Sequence, residues 1–137
     1  KKVNIIDIKS EIEANLPDDV EITGITIPST RTMSDHVLYQ IDVENVRKRK
    51  SYSKWTVLKR FGQFFEMDTQ LRNECIDNVT LLSHLPKPPQ RKVKILNDHM
   101  DDTFIEQRRV LLENYLLKLL RHVEVVRSPT FLSFCGV

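Results

Sequence analysis

Glycine is scarce in this chain, at three of 137 residues, and cysteine scarcer, at two. So few glycines leave neither a GxGxxG turn nor a GxxxxGK[ST] loop, the two arrangements that bring backbone close to nucleotide phosphates. Cys75 and Cys135 are too few for a disulfide framework and stand in no CxxC or Cys/His spacing that would hold zinc, so they read as reduced, buried thiols. No apolar run approaches the roughly 20 residues of a membrane-spanning helix, and no apolar h-region follows the N-terminus, so the chain reads as soluble and intracellular. It begins Lys-Lys without a methionine and reads as an excised fragment. Charge of one sign is also in short supply: 21 basic against 19 acidic residues leave a net +2, so attraction to a polyanion must come from local clustering. The histidines His36, His84, His99 and His122 are scattered, with no i, i+4 ligand pair, and read as surface or capping residues. There is no G-x-S-x-G elbow either. We therefore expect no enzyme, no catalytic residue, no metal and no cofactor.

What is present suffices for one globular domain, with 40% hydrophobic and 29% charged residues. Ile5, Ile8, Ile12 and Leu16 recur at helical spacing, so residues 1–19 read as an extension that forms a short helix or a partner-docking segment. From Val20 to Ile27 apolar residues alternate but change parity at Gly24, which predicts a strand with a bulge there. Residues 28–35 read as a turn, and Val37, Tyr39, Ile41 and Val43 as a second strand. After the basic run 47–50, Trp55 and Val57 mark a third strand, and the simplest arrangement is an antiparallel meander. From Phe61 the period becomes helical until about Cys75. Leu85-Pro-Lys-Pro-Pro-Gln-Arg-Lys92 is an extended proline-rich loop. Asp101 or Asp102 then caps a long helix from about Thr103, with Phe104, Leu111, Leu112, Tyr115, Leu116, Leu119 and Leu120 as its apolar face. A short terminal helix starting near Pro129 closes the core. The fold class is α+β: a three-stranded antiparallel meander against a helical subdomain, with the proline-rich loop between its two main helices.

A meander places the turn at 28–35 and the end of strand three, Lys59 and Arg60, at one edge of the sheet, and the basic run 47–50 at the other. Arg108 lies four residues from both Phe104 and Leu112, on the apolar stripe of the long helix. A charge there either snorkels, pairs with an acid such as Glu66, or faces a pocket shared with Arg60 and walled by the proline-rich loop with Arg91, Lys92 and Lys94. Converging arginines beside an aromatic ring suit a small anionic, hydroxylated ligand, because guanidinium forks hold phosphate bidentately and a ring face packs against a sugar or inositol.

Lys59-Arg-Phe-Gly-Gln-Phe64, Leu85-Pro-Lys-Pro-Pro-Gln-Arg91 and Phe104-Ile-Glu-Gln-Arg-Arg-Val-Leu-Leu-Glu-Asn-Tyr-Leu116 together resemble the three signature blocks of PX (phox homology) domains, in order and spacing, over roughly residues 20–135. The resemblance implies a phosphoinositide-binding module at 20–137, sorting-nexin-like, most often for phosphatidylinositol 3-phosphate. It implies that Arg60 grips the 3-phosphate, that Phe61 supports the inositol ring, that Arg91 or the adjacent Lys92 meets the 1-phosphate, and that Arg108 bonds the 4- and 5-hydroxyls. Gly62 departs from the family, where serine or arginine is commoner, and Lys87-Pro-Pro replaces a more usual apolar residue between prolines; neither removes a phosphate ligand. Met33, Val93, Ile95 and Leu96, interspersed with Lys92 and Lys94, are candidates for shallow membrane insertion, although Ile95 and Leu96 also suit a core-covering role. The expected setting is a cytosolic protein, peripheral on endosomal or vacuolar membranes, that recruits its parent for trafficking or membrane-contact roles. The alternative is a PX-like protein interaction module that uses residues 1–19 or the proline-rich loop. Nucleic acid is not an expected partner, since the basic run has Tyr52 and Trp55 as its only nearby aromatics.

Overall fold

The computed structural model describes residues 20–47, 52–90 and 101–137; the expected N-terminal helix and the loop positions Arg91 to Leu96 lie outside them. Three strands, β1 (Val20–Thr32), β2 (Val37–Arg47) and β3 (Tyr52–Arg60), form an antiparallel sheet in the order β1-β2-β3. The helices α1 (Phe61–Glu74), α2 (Val79–His84), α3 (Asp102–Leu119), α4 (Val123–Val126) and α5 (Pro129–Phe134) follow. This is the expected α+β meander.

The pairing shifts between Ile22 and Gly24, where Ile22 faces Asn45 but Gly24 faces Glu44. The extra residue turns the buried set from Ile22 to Ile25 and Ile27, which accounts for the change of parity in the sequence. Val37, Tyr39, Ile41 and Val43 are buried on β2, and the half-buried Trp55 and Val57 of β3 pack against the same core. Phe64, Met67 and Leu71 of α1, Leu112, Leu116 and Leu119 of α3, and Phe131, Leu132 and Phe134 of α5 complete it.

Two expectations change. β1 runs on to Thr32 instead of ending at Ile27, so the turn is reduced to residues 33–36, closed by the Met33 N–H donating to the His36 carbonyl at 2.8 Å. A proline is tolerated here because β1 is an edge strand and a second register shift, between Thr26 and Ser29, takes Pro28 out of the ladder. The backbone groups freed there are met from α3: the Ile27 N–H donates to Glu113 Oε2 and Arg109 Nη1 donates to the Ile27 carbonyl, both at 2.7 Å. Two side chains thus stand in for a missing strand partner and fix α3 across the sheet. The second correction is Leu111, assigned to the apolar face but 51% exposed on α3. The α3 cap is Asp101, which accepts from the Thr103 N–H.

The C-terminal helix ends in a Schellman turn, with the Val137 N–H on the Leu132 carbonyl and the Gly136 N–H on that of Ser133. Gly136 takes φ +84°, and a Cβ there would meet Val57 Cγ1 at 2.7 Å. The turn presents the Cys135 carbonyl to Trp55 Nε1 at 2.7 Å, which ties α5 to β3.

Both cysteines are free, Cys135 buried and Cys75 half-buried. Burial pushes the Cys135 thiol up to about 12 from its ordinary 9.0, and it also raises Cys75, with Glu74 adding to the shift. The folded state thus holds Cys135 protonated where the unfolded chain would ionise, so its contribution to stability is complete below pH 9 and disappears as the pH rises from there to about 12. Tyr39 and Tyr115, both raised chiefly by burial, act with the same sign. Denaturant midpoints should therefore fall through that alkaline window. Near neutral pH, Ellman's reagent should reach Cys135 only on unfolding; prompt native-state labelling of both thiols would contradict this.

Candidate functional site

The elements converge where β3 passes into α1. Arg60 is the last residue of β3, paired with Leu38, and also the N-cap of α1. Its N–H donates to Gln63 Oε1 at 2.8 Å, which fixes the backbone while the side chain stands exposed. The β1–β2 turn lies beside it. The Asp35 carboxyl is held below the ordinary range mainly by its hydrogen bond to His36, with a smaller contribution from the Arg60 charge. Met33, 40% exposed, occupies the same turn. Met33 and Arg60 therefore share one edge of the sheet, as the meander requires.

Phe61 opens α1, and its ring meets that of Phe65 edge to face at 5.0 Å between centroids. Arg108 comes from α3 to lie over it: the guanidinium carbon is 3.6 Å from the Phe61 centroid and 4.4 Å from that of Phe104. Here is the reason a charge can sit on the apolar stripe. Two rings present their negative faces to the guanidinium, which offsets the cost of holding its charge on that stripe. Arg108 also borders Tyr39, whose buried phenol is raised by desolvation and partly brought back by the charge and hydrogen bond of Arg108.

Among the sequence-derived candidates the structure thus gathers Arg60, Phe61 and Arg108 around one junction, with Met33 at the adjoining turn. One face of Phe61 is taken by Arg108, which the sequence did not foretell. Arg91, Lys92, Val93, Ile95 and Leu96 fall outside the described residues. The loop that carries them is nevertheless anchored at its start. Arg72 donates through Nε to Asp68 Oδ2 at 2.9 Å and through Nη2 to the Pro86 carbonyl at 2.6 Å, and the Tyr115 hydroxyl donates to Asp68 Oδ1 at 2.7 Å. Asp68, buried at 8% exposure, joins α1, α3 and the loop in one network.

Sequence reasoning missed that network and also Arg109, whose neighbour Arg108 drew the attention. A useful signal was available in the spacing Glu106, Arg109, Glu113, a charged ladder on one helix flank: Arg109 donates to both Glu106 oxygens and lies 3.8 Å from Glu113. Among the described residues no helix is long and apolar enough to cross a membrane, and no group of three metal-ligating side chains occurs.

The PX domain family model matches residues 47–136. Human sorting nexin-2 is 25% identical over 122 residues, which are 85% of this chain and 23% of that protein. A Dictyostelium discoideum protein named "Probable serine/threonine-protein kinase" is 23% identical over 103 residues, 75% of this chain but 4% of its own length. The chain thus spans a small part, a quarter or less, of these relatives. The crystal structure of the mouse SNX19 PX domain with bound sulphate ion superposes with a TM-score of 0.67 at 25% identity, covering 86% of this chain and 98% of that one.

Proposed function

The chain belongs to the PX domain family, and from that premise we propose that it is a phosphoinositide-binding membrane-targeting domain that recognises phosphatidylinositol 3-phosphate. The observation that carries the reading is the junction of Arg60, Phe61 and Arg108: an exposed cation and a ring-stacked guanidinium set at the β3–α1 junction beside the Met33 turn. In this reading Arg60 holds the 3-phosphate and Arg108 turns its N–H edges to the 4- and 5-hydroxyls, so that phosphates at those positions are disfavoured. The uncovered part of Phe61 supports the inositol ring. Arg91 or Lys92 meets the 1-phosphate, and Met33, with Val93, Ile95 and Leu96, enters the interface. The sulphate bound by the mouse SNX19 domain fits such a use of the fold, since sulphate, like phosphate, is a tetrahedral anion. The domain occupies 20–137 with 1–19 as an extension. It is a binding module and not an enzyme, and it brings a cytosolic parent protein to endosomal or vacuolar membranes, where sorting-nexin-like transport takes place.

Liposome co-sedimentation across the phosphoinositides, for the wild type and for Arg60→Ala, tests the proposal. The wild type should sediment selectively with the 3-phosphate lipid. The variant should lose about tenfold or more in affinity, the worth of one charge-assisted hydrogen bond of about 1.5–3 kcal/mol, with its melting temperature kept because Arg60 is exposed. Binding that is equal across lipids and indifferent to Arg60 would overturn it in favour of a PX-like protein interaction module.

A further inference from the structure

A second concave surface lies along the same helix but away from the Phe61 junction. It is a groove of about 460 Å³ between the start of the proline-rich loop and the C-terminal half of α3. Its cations are Lys87 from the loop, Lys118 from α3 and Arg121 from the turn that follows. His84 and His122 stand among them, and among the described residues no carboxylate contributes to the lining. Lys87, Lys118 and Arg121 enter no ion pair among the described residues. The lining also includes Asn114 and Tyr115, with apolar surface from Pro86, Pro89 and the exposed Leu111.

The walls are held before any ligand arrives. The Arg72 bond to the Pro86 carbonyl fixes the loop side, and the Tyr115 bond to Asp68 fixes the helix side. His84 is likewise held, its Nδ1 lying 2.7 Å from the Thr80 carbonyl. Preorganised walls reduce the ordering cost of binding. Lys118 lies ten residues beyond Arg108, about 15 Å along the helix axis, so the groove and the Phe61 junction can be filled at once.

We infer that this groove docks an acidic peptide segment that carries an apolar side chain, placed against Leu111 and the prolines while its carboxylates meet Lys87, Lys118 and Arg121. Charge complementarity selects an anion, and the apolar side chains of Leu111, Pro86 and Pro89 in the lining favour a peptide over a bare phosphate or a lipid headgroup, neither of which would use Leu111. Lysines favour the same choice, since they act as point charges where a phosphate site would gain from guanidinium forks.

The test is fluorescence anisotropy with a labelled peptide of about eight residues, Asp and Glu around a central Leu-Phe pair, which spans roughly 26 Å when extended. The wild-type chain should bind it and ignore the lysine-substituted counterpart. The double variant Lys118→Glu with Arg121→Glu should lose at least tenfold in affinity, while Lys54→Glu with Arg127→Glu, the same change in net charge elsewhere on the surface, should keep most of it. Leu111→Ser should weaken binding several-fold. All these residues are exposed, so the variants should fold. No binding by the wild type, equal losses in both charge-reversed pairs, or full competition by inositol hexakisphosphate with Leu111→Ser neutral would each overturn the inference. Sedimentation of the groove variant with the 3-phosphate lipid keeps this result separate from that of the headgroup site.

Discussion

Replacing Arg108 with lysine should leave the domain folded and its net charge unchanged, yet reduce affinity for the 3-phosphate lipid about a hundredfold. A lysine in that position still places a cation on the α3 stripe, near Phe61 and Phe104, and can still reach the Tyr39 phenol. What it cannot supply is the planar fork. The guanidinium carbon lies 3.6 Å from the Phe61 centroid, and in the proposed reading its planar fork gives two hydrogen bonds to neighbouring hydroxyls from one side chain. At about 1.5 kcal/mol for each hydrogen bond to a charged group, the low end of the usual range, losing both amounts to about 3 kcal/mol, roughly two orders of magnitude. The attraction of the remaining cations to an anionic bilayer is worth about 1 kcal/mol each near the surface, and it is untouched by the substitution. Surface plasmon resonance on vesicles with and without the 3-phosphate lipid separates the two contributions. If Arg108→Lys bound as the wild type does, the domain would be reading bilayer charge and not a headgroup. A fall in melting temperature of more than about 5 °C would mean instead that Arg108 is chiefly structural, holding α3 to α1 through the rings.

Much of this arrangement could be read along the chain, because it follows local rules. Alternation in β2, the parity change at Gly24, the change of period at Phe61 and the Asp101 cap each depend on residues a few positions apart, and each appears as expected. Arg108 was legible as a charge out of place, and a charge out of place points to a partner even when the partner is unknown. What could not be read depends on residues distant in sequence. β1 continues through Pro28 because Arg109 and Glu113, more than 80 residues away, satisfy Ile27. The two-ring stack on Arg108 needs α3 to cross α1 at one height. Leu111 has the right spacing to be buried and is not: it is 51% exposed and lines the groove with Pro86, Lys87 and Pro89. The six residues of α2 are too few to show a period, and the extended segment after Leu85 hides that its carbonyls have a designated donor.

That donor leads to the largest stability effect. Asp68→Ala should destabilise the domain by about 3 kcal/mol. The Tyr115 hydroxyl, on a residue only 2% exposed, would lose its acceptor, and an unsatisfied buried hydroxyl costs about 1–3 kcal/mol. Arg72, about a quarter exposed, would lose the carboxylate that aims it at the Pro86 carbonyl, a smaller loss because water can reach the guanidinium. Tyr115→Phe removes the hydroxyl and its demand together, so it should cost about 1 kcal/mol, and the double variant should cost less than the two singles combined. Urea denaturation of the four proteins gives this cycle, and a cost below about 1 kcal/mol for Asp68→Ala would show the network to be ornamental. The effect should also be felt at a distance. With Arg72 no longer held by Asp68, its bond to the Pro86 carbonyl is weakened, the start of the proline-rich loop is less firmly tethered to α1, and the loop residues proposed to meet the 1-phosphate lose their fixed origin. Lipid affinity of Asp68→Ala, measured well below its melting temperature, should therefore fall several-fold although no proposed headgroup contact has been altered, whereas Tyr115→Phe, which leaves the Arg72 bonds intact, should bind as the wild type does.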